Sequence, residues 1–194
     1  MIKFTSYSLS DFILFSETTY YRQFELYNNA IWPLHIIAIA FSIMILYAFW
    51  KKPIWGGRLI ALLLILSWGW VAWAFLYERF YSIHVVANWY AWGFVIQAGL
   101  LWWYGIVKNH LIICEQNHLR TYIGRGLLFS ALILYPFIIL FSGRSWMQFE
   151  MFALTPDPTV LATLAILLLC KVPLVLYIIP IVWGIISCMT LLVM

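Results

Sequence analysis

The sequence predicts an all-α fold, a polytopic membrane helix bundle of about six transmembrane helices with two short interfacial helices on its outer face. Three observations carry this prediction. Hydrophobic residues make up 65% of the chain and charged residues 9%, against roughly 25% charged in a soluble domain. Apolar runs long enough to cross a hydrocarbon core recur along the chain, separated by short polar loops. Twelve Trp and twelve Tyr gather near the ends of those runs, where amphipathic rings favour the headgroup interface. The 194 residues suit one membrane domain, residues 1–194.

The first 20 residues lack the apolar run and small-residue cleavage site of a signal peptide, so they are expected to stay attached. Ser16 is a good N-cap and Glu17 favours a first helical turn. On a helix from residue 17, Tyr20, Phe24, Tyr27 and Ile31 share one side, an interfacial amphipathic pattern. Span one is about 30–50. Its 21 residues reach ~31 Å, and Pro33 falls in the first turn, where a missing N–H costs little. Lys51, Lys52 and Arg58 make the next loop basic. Span two is about 59–77, ending in Trp68, Trp70, Trp73, Phe75 and Tyr77. Span three is about 85–107, with Trp89 and Trp92 near its start and Gln97 near its middle. Gln97 is expected to make an interhelical hydrogen bond.

Residues 108–125 form the longest polar loop between spans. Span four is about 126–142, and Pro136 inside it should kink the helix and leave a carbonyl needing a neighbour. Gly143 is a candidate C-cap. Ser145-x-x-Gln148 has the form of a capping box, predicting a second interfacial helix over 146–153. Asp157 then reads as the N-cap of span five, about 158–171, with Pro158 at its first position. Span six is about 174–194. A single helix from 158 to about 179 would bury Lys171 at mid-depth, at a cost of at least ~2.5 kcal/mol on insertion scales.

Charge sets the orientation. Lys51, Lys52, Arg58, Lys108, Arg120, Arg125 and Lys171 fall in loops on one side, which the positive-inside rule makes cytoplasmic. Of the acids only Glu115 lies there. Asp11, Glu17, Glu25, Glu78, Glu150 and Asp157 lie on the other side. Both termini are therefore expected outside the cytoplasm. The net charge of +4 follows from topology, and with no basic run, nucleic acid is excluded as a partner. The expected partners are the lipid bilayer, a further membrane subunit or a second copy, because six spans in so short a chain leave little room for an aqueous path.

The outer face collects Glu25, His35, Glu78, Arg79, His84, Arg144, Glu150 and Asp157. Ionisable groups at membrane depth are functional candidates. Here they would bind or pass a small solute beneath a lid formed by residues 16–35 and 145–157. The simplest competing account is helix capping and headgroup pairing. Histidine beside carboxylate can also hold a metal or a quinone headgroup, and His35 with His84 could ligate a haem if their depths matched. On a helix His110, Cys114 and His118 share one face, but the outer two lie ~12 Å apart along the axis, so no single ion takes all three. Cys170 and Cys188 sit in apolar segments as small hydrophobes. No cofactor is predicted. No nucleophile elbow, phosphate loop, zinc-protease motif or dinucleotide fingerprint is present, so the residues name no reaction, and the alternative to solute binding is a membrane oxidoreductase or assembly factor that handles a quinone, haem or metal on the outer face.

Several of these residues also occur together elsewhere. Ser10-Asp11-Phe12, Thr19-Tyr20-Tyr21-Arg22, Phe24-Glu25-Leu26-Tyr27-Asn28, Trp32-Pro33, the Trp68/Trp70/Trp73 cluster with Ala74-Phe75, Gly143-Arg144-Ser145-Trp146, Glu150, Pro156-Asp157-Pro158-Thr159 and Ala162-Thr163-Leu164 resemble a family of bacterial inner-membrane proteins of unknown function. The resemblance covers most of the chain. It implies a polytopic inner-membrane protein, and a loose permease label attaches to some members. It does not extend to His35, His84 or the 110/114/118 set.

Overall fold

The computed structural model describes residues 17–80, 87–114, 118–141 and 143–193. Among these, seven α-helices run α1 (Glu17–Ile31), α2 (Leu34–Lys51), α3 (Gly56–Trp70), α4 (Ala87–Leu101), α5 (His118–Phe129), α6 (Pro156–Leu169) and α7 (Val175–Val193). Three helices change winding before they end. α3 continues as a π-helical segment Val71–Tyr77, α4 as a π-helical segment Trp102–Val107, and α5 through a π-helical Ser130–Leu134 into a 3-10 stretch Tyr135–Phe141. Pro136 lies at the last of these changes, where its missing N–H prevents regular α-helical bonding.

Four helical stretches are long and apolar enough to cross a membrane: Leu34–Lys51, Gly56–Tyr77, Leu119–Phe141 and Val175–Leu192. Gly56–Tyr77 is the central one, with 61% of its most apolar window buried, against 28% for Leu34–Lys51 and 17% for Val175–Leu192. The peripheral helices turn large apolar side chains outward, among them Ile36, Ile43, Ile178, Ile185 and Leu192. Water would penalise that arrangement and hydrocarbon would not. The α4 stretch is long enough, but its Trp and Tyr residues, Asn88 and Gln97 keep it outside the four.

Small residues set the closest approaches. A Cβ on Gly105 would come within 2.5 Å of the Ala61 Cβ, and one on Gly124 within 2.8 Å of Leu169 Cγ. These glycines let α4 meet α3 and α5 meet α6 at near-backbone distance. Trp68 fills the centre. It is fully buried, lies 4.3 Å from the Phe94 ring, and donates its indole N–H to Thr163 Oγ1 at 2.8 Å. One side chain thus joins α3, α4 and α6.

α6 has 14 residues, about 21 Å of helix, and is buried on nearly all sides. Its last carbonyls, which no helix can satisfy internally, find tertiary donors. The Cys114 N–H donates to Leu169 O at 3.0 Å, Arg120 Nε to Leu168 O at 2.8 Å, and the Tyr177 hydroxyl to Leu167 O at 2.6 Å. Arg120 also suits the negative end of the helix dipole. The chain breaks after Leu169, and Lys171 is exposed. α7 contains Pro180, which cannot donate to Leu176 O. Gln97 Nε2 donates to that carbonyl instead, at 3.0 Å.

Three local expectations are corrected. Residues 146–153 form one 3-10 turn, Trp146–Gln148, rather than a helix, and Ser145 makes no side-chain cap bond. Only the backbone closes the turn, through Gln148 N–H to Ser145 O at 2.9 Å. Asp157 is not an N-cap. Thr155 holds that position and Pro156 begins the helix. Residues 108–114 are not helical, so His110, Cys114 and His118 do not share a helical face. This segment instead folds into the bundle, with Leu111 fully buried and Ile113 in an antiparallel bridge with Cys170.

Candidate functional site

The acidic residues with described side chains gather at the end of the bundle where α1 lies. α1 buries Phe24, Tyr27 and Ile31, spaced three and four apart on one face. Tyr20 and Phe24 contact edge to face at 5.3 Å, and Tyr20 meets Phe80 at 5.9 Å. Tyr27 donates its hydroxyl to Leu154 O and accepts the Trp70 indole N–H, both at 2.8 Å. Burial pushes the Tyr27 phenol above its ordinary range, so it stays a neutral donor.

Asn28 binds the segment after α5 to α1. It is 5% exposed, and its Nδ2 donates to Met147 O and Phe149 O, both at 2.9 Å. Its Oδ1 lies 3.3 Å from His35 Nε2. With Nε2 donating there, the other ring nitrogen, Nδ1, is buried with no hydrogen-bond partner among the described residues. The His35 ring packs against Phe149 at 5.2 Å and Trp32 at 5.9 Å. Gln148 Nε2 reaches Glu25 Oε2 at 3.4 Å. Residues 144–151 are thereby laid against α1.

Beneath this contact lies a group of charges. Arg144 places its guanidinium 4.1 Å from the Tyr21 ring centroid and 3.8 Å from Glu150 Oε1. Glu150 is 11% exposed. Burial, reinforced by the Asp157 carboxylate and opposed by Arg144, raises its carboxyl to about 8. Asp157 accepts the Trp183 indole N–H on Oδ1 and the Ser187 hydroxyl on Oδ2, both at 2.7 Å. The Tyr20 phenol is raised well above its ordinary value, by burial first and then by Asp157 and Glu150. Tyr135 lies within electrostatic reach of the same two carboxylates. Glu150 therefore faces the Arg144 guanidinium on one side and the Asp157 carboxylate on another, among phenols and away from water, where Coulomb interactions are strong and unpaired charge is costly.

Of the residues expected to form a site, Arg144, Glu150 and Asp157 come together. Glu25 and His35 sit beside them in the α1 contact. Glu78 is exposed just past the π-helical end of α3, and Arg79 is half-buried near Tyr27. His84 lies outside the described residues, as does the His118 side chain. His110 is exposed at the opposite end against Tyr104. Among the described residues no three His, Cys, Asp or Glu converge as a metal set. Sequence reasoning missed Asn28, Tyr135, Trp183 and Ser187. Trp183 and Ser187 had a readable signal: two polar groups four apart on one stripe of a mostly apolar helix.

A second feature of this end is a groove of about 260 Å³ between α3 and α4, walled by Trp73, Tyr77 and Trp92 and floored by Gly69, Ala72 and Ala91.

A family model described as a family of unknown function (DUF6064) matches residues 17–194. No curated protein and no solved structure matches the chain.

Proposed function

The chain belongs to DUF6064, a family of unknown function, and from that premise we propose that it is an integral membrane protein that holds a small charged solute beneath α1. It crosses the bilayer about six times, with the α1 end outside the cytoplasm, in the inner membrane of a bacterium. α6 serves as a short central crossing, because irregular backbone at membrane depth is acceptable where protein encloses it. The observation that carries the solute reading is the Arg144–Glu150–Asp157 group under Tyr20 and Tyr21. Burying three ionisable groups at this depth gives no net gain in stability over apolar packing. Ionised, the group holds one negative charge in excess. A proton on Glu150 or a cationic group on the solute balances it, as Arg144 over the Tyr21 ring already balances the other negative charge. The solute enters when α1 and residues 144–151 part.

Thermal-shift measurements on the purified protein test this with a panel of amines, amino acids and carboxylates at pH 6 and pH 9. At least one charged class should raise Tm in a pH-dependent way that Glu150→Gln removes. Shifts that survive both Glu150→Gln and Arg144→Gln would place the solute elsewhere. Reporter fusions at residue 194 and within 108–117 test the orientation. A reporter at residue 194 that is active in the cytoplasm would overturn it.

A further inference from the structure

The opposite end of the bundle carries a second site of different chemistry. A cavity of about 300 Å³ opens between residues 52–57 and residues 109–113. Lys52 and Asn109 supply its polar lining. Its mouth carries Ile54, which is fully exposed, and Ile112, which is 55% exposed. Both polar residues sit at sharp bends, with φ of 45° and 51°. Lys52 ends α2 through its backbone N–H to Ala48 O at 3.0 Å. A Cβ on Gly57 would come within 2.4 Å of Leu111 O, so the two loops meet in backbone contact at the cavity wall.

The charged side chains described around it are basic. Lys51, Arg58, Lys108, Arg125 and Lys171 are exposed at this end. Lys108 lies 5.5 Å from the Trp103 ring and Arg125 5.8 Å from the Phe49 ring. Trp50 and Trp55 are exposed beside them. The described side chains of Glu25, Glu78, Glu150 and Asp157 all belong to the α1 end. Exposed Trp next to Lys and Arg marks a headgroup level, and clustered basic residues there attract anionic lipid.

We propose that this cavity is a headgroup site for an anionic phospholipid. Lys52 and Asn109 take the phosphate, and Ile54 and Ile112 carry the start of the acyl chains. Two apolar side chains at the mouth favour a lipid over a free anion, which would gain nothing from them. The site works whichever side of the membrane this end faces. It rests on the reading of the chain as an integral membrane protein, which is checked separately by retention in the membrane pellet after carbonate extraction.

The test uses full-length protein, delipidated in a zwitterionic detergent and titrated with phosphatidylglycerol, with phosphatidylcholine, and with inorganic phosphate alone. Phosphatidylglycerol should raise Tm and the other two should not. Lys52→Gln should need about five-fold more phosphatidylglycerol for the same shift, the scale of one basic residue at an anionic surface. Lys52→Arg should keep most of the response. Lys171→Gln, basic and exposed but outside the cavity, should weaken the response less than Lys52→Gln does. An equal response to phosphatidylcholine would overturn the proposal. So would a full response to inorganic phosphate, which would assign the cavity to a soluble anion. Equal weakening by Lys52→Gln and Lys171→Gln would show a diffuse field rather than a site.

Discussion

Replacing Asn28 with alanine should loosen one part of the molecule and leave the rest alone. Asn28 Nδ2 donates to two carbonyls 119 and 121 residues away. These bonds join α1 to residues 144–151. Each such bond is worth about 1 kcal/mol net, so losing both costs ~2 kcal/mol at that contact. This corresponds to a roughly 30-fold rise in the population with the contact open. Alanine is the better helix former by a few tenths of a kcal/mol, so α1 itself should not unravel. Hydrogen exchange measured by mass spectrometry on the purified protein reads the effect directly. Amides in 144–151 should exchange about 30-fold faster, and those of α3 and α6 should be unaltered. Asn28→Asp keeps the acceptor facing His35 but sets an oxygen against both carbonyls, so it should open the contact at least as much as alanine does. Exchange unaltered in 144–151 would refute the reasoning. An increase spread evenly through α3 and α6 would refute it too, by making Asn28 part of the global core.

The buried carboxyl of Glu150 gives a pH dependence. Its value in the folded protein is raised from 4.5 to about 8, so the fold favours the protonated form. The stability from this group is complete below about pH 4.5 and is lost as pH rises through about 8. Tm should fall across that window, and Glu150→Gln should flatten that part of the profile. Gln97→Leu should cost 1–3 kcal/mol by stranding the Leu176 carbonyl. The cost should shrink in a Pro180→Ala background, where the restored N–H returns that carbonyl to the helix, and a double-mutant cycle in denaturant measures the difference. Gly105→Ala should destabilise by about 1–3 kcal/mol through overpacking against Ala61. Adding Ala61→Gly should recover much of the loss in Tm, and no recovery would mean that the α3–α4 approach is not limiting.

The long apolar helices were legible because each is a run whose length and composition need no tertiary information. α2 and α7 are examples. Lys171 also marked the break between α6 and α7, since a lysine is costly inside an apolar run. The buried face of α1 was legible from spacing alone. Local polar patterns were less informative, because tertiary partners took the groups that local rules had assigned. Asp157 has the sequence context of a cap, but its two oxygens are taken by Trp183 and Ser187 on α7. Gln148 completes a capping-box pattern, yet its side chain reaches Glu25. The spacing of His110, Cys114 and His118 suggested a helical face, but Leu111 and Ile113 are apolar enough to draw that segment into the bundle. Asn28 had no readable role, because its importance comes from two carbonyls that only the fold brings near. The clustering of acids at one end was visible in the order of loops. The convergence of Arg144, Glu150 and Asp157 was not, since it depends on how α1, α6 and α7 pack.

Hydrogen exchange of residues 17–31 and 144–151 in the presence of a solute from the thermal-shift panel tests the central claim most directly. A solute held beneath α1 should slow exchange in both stretches of the native protein and in neither stretch of Glu150→Gln. Slowing confined to the groove between α3 and α4, or equal slowing in Glu150→Gln, would contradict it.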